Sequence, residues 1–163
     1  VISGTLAHRH PSWEGVGFDI SGKAANLSRE NFRALGVLDR IKILEAAGFE
    51  ALSPEQKFDL LVSNPPYIPA GDIEDLQKEV SVYENRTALD GGPDGGAFYP
   101  VLAEGGIRHL VQGGVLLVEI GEGMGEMVKD IFKNYGYSGV KITRDYSGLE
   151  RVVSAVRPEG TGC

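Results

Sequence analysis

The sequence has little of two residue types on which metal sites and disulfide-linked scaffolds depend. Cys163 is the single cysteine among 163 residues, so an internal disulfide and a cysteine-based zinc site are excluded. Histidine is nearly as scarce. His8 and His10 could ligate a metal, but the sequence around them offers no further ligands. We therefore expect no metal site and interpret both histidines as solvated residues at a helix end.

Long apolar runs and an excess of positive charge are also missing. No stretch reaches the roughly 20 apolar residues that span a membrane, and the first residues lack a signal-peptide pattern. We therefore expect no membrane partner and a cytoplasmic location. With 16 Lys and Arg against 23 Asp and Glu, the formal charge is -7. Because binding a phosphate backbone needs clustered cations, this balance argues against a nucleic-acid partner and favours a protein or small-molecule substrate.

The chain does have an ordinary globular composition and a regular alternation of elements. Its 42% hydrophobic content is enough to bury a core, and we expect a single domain over residues 1–163. Apolar runs predict strands and periodic segments predict helices. The predicted strands are residues 16–20, 41–44, 58–63, 115–120, 140–143 and 152–156, and the later helices are residues 97–111 and 126–135.

An earlier helix is predicted between two end signals. Ser21 is a preferred N-cap and Gly36 a preferred terminator. The residues expected on one side of this helix are Ala24, Leu27, Asn31, Ala34 and Leu35. Alternating strands and helices predict an α/β fold with a mostly parallel twisted sheet and a terminal antiparallel hairpin. The polar stretch at 65–96, with one weak helix near 72–79, is long enough to be typical of a functional loop.

The most informative feature is Asn64-Pro65-Pro66-Tyr67, directly after the apolar run at 58–63. It stands at the end of a buried strand, where open α/β sheets bind ligands. Both prolines fix their own φ angles and bias the preceding residues toward extended conformations. The Asn64 amide, a prolyl carbonyl and the Tyr67 ring can then grip a planar amide or amino group. The alternative is a tight turn after a strand.

Two acidic residues at predicted strand ends are further candidates. Asp19 ends an early strand, where a carboxylate can accept hydrogen bonds from both hydroxyls of a ribose. Asp is also common there as a turn former. Glu119 ends a later strand before Gly121, and it is either a functional acid or a capped strand terminus.

Four segments, in this order, resemble the catalytic domain of the HemK/PrmC-type release-factor glutamine methyltransferases. They are Asn64-Pro65-Pro66-Tyr67-Ile68-Pro69, residues 83–95 with Ala88-Leu89-Asp90-Gly91-Gly92, residues 118–121, and residues 145–153. The resemblance covers nearly the whole chain. It implies a Rossmann-like class I methyltransferase fold with S-adenosylmethionine as cofactor. It also implies that Asp19 contacts the ribose and that Gly48 and Phe49 contact the adenine.

The resemblance further implies the substrate, a glutamine in class I peptide chain release factors. Asn64, Pro65, Pro66 and Tyr67 would bind its side chain, with Asn64, Pro65 and Tyr67 acting in catalysis and Asn64 also contacting the cofactor. An amide nitrogen is a poor nucleophile, so positioning should do most of the catalysis. Carbonyl acceptors would stabilise positive charge growing on nitrogen, and no general base is expected.

The family also carries a strand and a Gly-rich loop ahead of the position of Val1, so we expect this part of the family's domain to be absent from residues 1–163. Two other functions remain open. One is methylation of N6 of adenine, or of another amino group, in nucleic acid. The other is a non-catalytic methyltransferase-like fragment that binds a partner without turnover, and for this reading no cofactor binding is expected.

Overall fold

The computed structural model describes residues 2–75 and 86–159. The chain divides into two compact units, Val1–Ser53 and Pro54–Cys163, and each is described by itself. Residues 83–85 of the second motif and residues 76–79 of the predicted weak helix lie outside the described residues. Residues 73–75 of that helix form a 3-10 turn. A single domain over residues 1–163 stays a prediction.

The first unit is built on two parallel strands with helices. Strands β1 and β2 pair in register from Gly15 against Ile41 to Asp19 against Glu45, which confirms both strands predicted here. Ala7, Phe32, Val37 and Ile41 form its buried core. The elements are α1 (Ile2–Arg9), β1 (Gly15–Asp19), α2 (Gly22–Ala34), β2 (Ile41–Glu45) and a 3-10 turn (Phe49–Ala51).

Helix α2 begins and ends where the sequence predicts. Ser21 accepts a hydrogen bond from the Ala24 N–H at 3.4 Å, and Gly36 follows the last turn with φ of 68°. The side assigned to the helix was wrong, however. Its buried residues are Ala25 and Phe32, whereas Leu27 is 58% exposed, because the large Phe32 ring takes the core position and turns the neighbouring stripe toward solvent.

The second unit is a four-stranded sheet in the order β3-β4-β6-β5. Strand β3 runs parallel to β4, and β6 is antiparallel to both β4 and β5, so β3, β4 and β5 share one direction. The predicted terminal hairpin is confirmed, with β6 inserted between β4 and β5. The elements are β3 (Phe58–Ser63), two 3-10 turns (Ile73–Asp75, Arg86–Ala88), α3 (Phe98–His109), β4 (Leu110–Glu119), α4 (Gly125–Asn134), β5 (Ser138–Arg144) and β6 (Glu150–Val156).

The core of this unit lies between the sheet and helices α3 and α4. Tyr99, Phe132 and Leu116 are among its largest buried side chains, each fully covered. Since the three parallel strands end at the same edge, Ser63, Glu119 and Arg144 mark a common carboxyl edge of the sheet. Among the described residues, no helix is long and apolar enough to cross a membrane.

Candidate active site

The Asn-Pro-Pro-Tyr loop (residues 64–69) leaves the carboxyl edge at the end of β3. Pro65 is buried while Asn64 is exposed. The Asn64 side chain makes no hydrogen bond to any described residue. Its carboxamide is thus held on a constrained backbone with its donors and acceptor available to a ligand.

A second motif holds this loop in place. The Ile68 N–H donates to the Leu89 carbonyl at 3.0 Å, and the Gly91 N–H donates to the Ile68 carbonyl at 2.9 Å. Ile68 and Asp90 thereby form an isolated parallel bridge. We call residues 88–96 the glycine loop. Two segments on which the family resemblance depends are therefore in direct contact.

The glycine loop approaches Tyr67 more closely than any side chain would allow. A Cβ on Gly91 would lie 2.7 Å from the Tyr67 Cα, and a Cβ on Gly95 would collide with the Tyr67 carbonyl. Two aspartates shape the loop from within: Asp90 accepts from the Gly92 N–H at 2.9 Å, and Asp94 accepts from a backbone N–H in the same way. The repeated glycines are thus a packing requirement of the neighbouring loop.

Tyr67 points its hydroxyl at the end of strand β4. It donates to a carboxylate oxygen of Glu119 at 3.3 Å. Burial and this carboxylate raise the pKa of Tyr67 above its usual value, so the hydroxyl stays protonated as a donor. The Tyr99 hydroxyl donates to the Glu119 carbonyl, also at 3.3 Å. Glu119 therefore carries a specific contact with the Asn-Pro-Pro-Tyr loop in addition to ending its strand.

The fourth motif (residues 145–153) forms the turn between β5 and β6. Asp145 accepts from Ser147 N–H at 2.8 Å, Leu149 N–H at 3.0 Å and Arg151 Nε at 3.1 Å. Burial opposes ionisation of Asp145, but the bonds from Leu149, Arg151 and Ser147 outweigh it and hold its pKa below the usual value. The Arg151 carbonyl in turn accepts from the Ile120 N–H at 3.0 Å. The motif joins the hairpin to the end of β4.

The candidate cofactor residues of the first unit share one edge. Asp19 ends β1, and one of its carboxylate oxygens accepts from the Ser21 N–H at 2.9 Å. The Asp19 carbonyl accepts from the Ala46 N–H at 3.0 Å, so the chain leaving β2 passes beside it. Gly48 follows with φ of 146°, a conformation open essentially to glycine alone. Phe49 comes next.

These residues fit the nucleoside half of a cofactor. Asp19 keeps a second carboxylate oxygen without a partner among the described residues, which suits a pair of ribose hydroxyls. A Cβ on Gly48 would meet only the Glu50 carboxylate, at 3.7 Å, so an aromatic base could approach the bare backbone. Asp19, Gly48 and Phe49 belong to the first unit and Asn64 to the second.

Sequence reasoning missed the contacts that organise the loop. Neither the bridge between Ile68 and Asp90 nor the bond from Tyr67 to Glu119 was predicted. The Gly91-Gly92 and Gly95-Gly96 pairs were the available signal, since paired glycines mark close backbone approach. Within the first unit, the His10 ring stacks on Trp13 at 4.2 Å between centroids. Among the described residues, no group of three or more potential ligands could hold a metal.

Comparison with known proteins identifies the family. Residues 1–102 match the family described as Methyltransferase small domain. The chain belongs to this family. Similar curated proteins are the Release factor glutamine methyltransferases of Geobacter sulfurreducens, 41% identical over 152 residues, and of Caulobacter vibrioides, 40% identical over 157 residues. These alignments cover 93% and 96% of this chain but 52% and 54% of the relatives, so the chain spans about half of their length.

Solved structures of methyltransferases share the fold of this chain. A methyltransferase from Pyrococcus furiosus superposes with a TM-score of 0.68 at 16% identity, over 97% of this chain and 70% of that one. An RNA methyltransferase from Salinibacter ruber, in complex with S-adenosyl-L-homocysteine, has a TM-score of 0.55 at 15% identity, over 99% and 76%. The predicted class I methyltransferase fold and the resemblance drawn from the four motifs are confirmed.

Proposed function

We propose that this protein transfers a methyl group from S-adenosylmethionine to the side-chain amide nitrogen of a glutamine in class I peptide chain release factors. One observation carries the proposal. The Asn64 carboxamide is exposed, has no partner among the described residues, and stands on a loop that the glycine loop holds at the carboxyl edge of the sheet. Two relatives, of which about half the length aligns with this chain, are named release factor glutamine methyltransferases. Their names support the same substrate.

The loop suits a primary amide better than a charged or apolar group. A glutamine side chain presents two N–H donors and one carbonyl acceptor, and Asn64 presents the complementary set. The Asn64 Oδ1 and the Pro65 carbonyl accept one N–H each, which orients the nitrogen lone pair. The Asn64 Nδ2 donates to the glutamine carbonyl. Because the nucleophile is weak, this orientation supplies most of the rate.

The cofactor supplies an electrophilic sulfonium methyl group. With S-adenosylmethionine bound, the amide nitrogen would take this methyl group, and the electron pair of the broken S–C bond would stay on sulfur. Positive charge grows on nitrogen, where the oxygens of Asn64 and Pro65 stabilise it. The proton is lost to water once methylation has made it acidic. Pro66 keeps the loop extended, and Tyr67 covers the bound amide and excludes water.

Binding of the nucleoside part of the cofactor is assigned to the first unit. Asp19 accepts hydrogen bonds from the ribose hydroxyls, while Gly48 and Phe49 contact the adenine. The Salinibacter ruber structure, which holds the demethylated cofactor in the same fold, supports S-adenosylmethionine as the cofactor. Because release factors act in translation, we place the reaction in the cytoplasm.

Methylation of an adenine amino group is the second candidate, since an exocyclic amino group offers the same two donors to Asn64 and Pro65. The Salinibacter ruber protein of the same fold is named an RNA methyltransferase. The formal charge of -7 weighs against it, because phosphate contacts need clustered cations. The third candidate is a non-catalytic fragment that binds a partner without turnover.

A methylation assay separates the three. The protein is incubated with S-adenosylmethionine and a purified release factor, and peptides are sequenced by mass spectrometry. We expect one methyl group on one glutamine, absent when that glutamine is replaced by glutamate. Methylation of an adenine-containing oligonucleotide instead would favour the second candidate. No cofactor binding in calorimetry, together with no turnover on either substrate, would favour the partner-binding fragment.

A further inference from the structure

We infer that Glu119 is a positioning residue, which orients the Tyr67 ring in the Asn-Pro-Pro-Tyr loop for methyl transfer. The inference rests on the proposed function and goes beyond it, since it assigns to the end of strand β4 a part in substrate geometry. Glu119 itself is not assigned a contact with the substrate.

Three contacts fix Tyr67. Its backbone lies against the glycine loop, where a Cβ on Gly91 would come within 2.7 Å of its Cα. One ring edge lies over Gly121, where a Cβ would stand 3.2 Å from the Tyr67 Cδ2. The hydroxyl at the far end of the ring donates to Glu119 at 3.3 Å. The first two contacts hold the base and one edge of the ring, and the third holds its tip.

Glu119 is well placed to act as a fixed anchor. Its backbone is held by the ladder to Val152 in β6 and by the Tyr99 hydroxyl on its carbonyl. Its side chain is half-buried and forms no ion pair with a described residue. The nearby cation, Arg151, is engaged with Asp145 at 3.1 Å. Tyr67 is therefore the hydrogen-bond donor to this carboxylate among the described residues.

A half-buried carboxylate with no paired cation among the described residues, such as that of Glu119, is unusual at the end of a strand. Burying a charge is unfavourable unless polar partners compensate it, and an apolar residue would end the strand as well. A hydrogen bond to a charged acceptor is about twice as strong as a neutral one. The charge on Glu119 therefore makes sense as a means of holding the Tyr67 hydroxyl, and with it the ring that covers the amide.

The test compares Glu119→Ala, Glu119→Gln and Tyr67→Phe in the protein, using the release-factor assay. We expect kcat to fall roughly ten-fold in Glu119→Ala, the scale of one hydrogen bond to a charged group, with cofactor affinity unchanged. Glu119→Gln keeps an acceptor oxygen and should recover part of kcat. Tyr67→Phe should match Glu119→Ala, and the double variant should lose no more than either single one, because the two changes remove the same contact.

Glu104→Ala is the matched control, since this exposed carboxylate pairs with Arg108 on the surface of α3. Additive losses of kcat in the double variant, or an unchanged kcat in Glu119→Ala, would overturn the positioning role. In either case, turnover by the wild-type protein would leave the proposed function intact. Equal losses in Glu119→Ala and Glu119→Gln that follow a lowered melting temperature would also overturn it. A wild-type protein that leaves the release factor unmethylated would remove the proposed function itself, and with it the amide that Tyr67 is inferred to cover.

Discussion

Ile68 and Asp90 pair in a parallel β-bridge, and this pairing joins the Asn-Pro-Pro-Tyr loop to the glycine loop. At this bridge, the Asn-Pro-Pro-Tyr loop is held by backbone hydrogen bonds. A loop held in this way keeps its exposed asparagine in one place without using that asparagine for its own stability. Preorganisation of this kind is what methylation of a weak nucleophile needs.

Asn64→Ala tests the assignment of the substrate amide. We expect loss of glutamine methylation with S-adenosylmethionine affinity kept within a few-fold, because the side chain acts on the orientation of the amide in the transition state. Turnover is measured by mass spectrometry and affinity by calorimetry. Asn134→Ala, at the exposed end of α4, serves as the control. A variant that keeps full turnover would contradict the assignment, and one that loses cofactor affinity would move Asn64 to the cofactor.

Gly91→Ala tests whether the glycine loop positions its neighbour. A Cβ there would lie 2.7 Å from the Tyr67 Cα, so one backbone must move, at a cost of about 1 to 3 kcal/mol in unfolding free energy. We expect turnover to fall by more than stability alone explains. Gly71→Ala is the matched control, because nothing lies within 4 Å of its would-be Cβ. Equal turnover in the two variants would show that the close approach has no role in catalysis.

Most strands and helix ends could be predicted from the sequence because their signals are local. The prediction was wrong at the start of β4, which begins at Leu110, inside the helix predicted over residues 97–111 and ahead of the strand predicted from residue 115. Pairing of Leu110 with Phe58 in β3 extends this strand, and such a long-range contact leaves no local signal. The run at 58–63 became β3 with the predicted limits, and the Ser21 cap marked the start of α2. The site is different, because its contacts join residues far apart in the chain. Glu119 and Tyr67 meet only through the pairing of β3 with β4, and periodicity carries no information on such a contact.

The buried face of helix α2 could not be predicted from the local sequence either. Ala24 and Ala25 are equivalent by residue type, and only the position of the Phe32 ring in the core decides which stripe of α2 is covered. The position of β6 between β4 and β5 is likewise determined by tertiary structure. A hairpin signal predicts that two strands pair, but not which further strand receives them.

Asp19→Ala tests the ribose contact. We expect cofactor binding to weaken by about 1.5 to 3 kcal/mol, the scale of hydrogen bonds to a charged group. Because Asp19 also accepts from the Ser21 N–H, Asp19→Asn is included, since it keeps an acceptor for this bond while removing the charge. Calorimetry measures both, with the exposed Asp39→Ala as the control. Unchanged affinity in Asp19→Ala would leave Asp19 as a turn residue.

Tyr137→Phe tests a pH dependence built into the core of the second unit. Tyr137 is 5% exposed and donates to the Ala103 carbonyl at 2.9 Å. A side chain on Gly106 would collide with this hydroxyl. Burial raises the pKa of Tyr137 from 10.0 to about 12, so its folded-state pKa lies above its unfolded one. Its contribution is fully present below pH 10 and is lost as pH rises toward 12, because the unfolded chain releases the proton first.

The wild-type protein should therefore lose up to about 3 kcal/mol of stability across that window from this group alone. Tyr137→Phe should be roughly 1 kcal/mol less stable at neutral pH, for the lost hydrogen bond, and should show a flatter alkaline limb. Urea unfolding at a series of pH values measures both effects. Tyr135→Phe, whose ring is 39% exposed, should follow the wild type throughout. Parallel curves for Tyr137→Phe and the wild type would mean that the Tyr137 hydroxyl ionises as readily in the folded protein as in the unfolded chain.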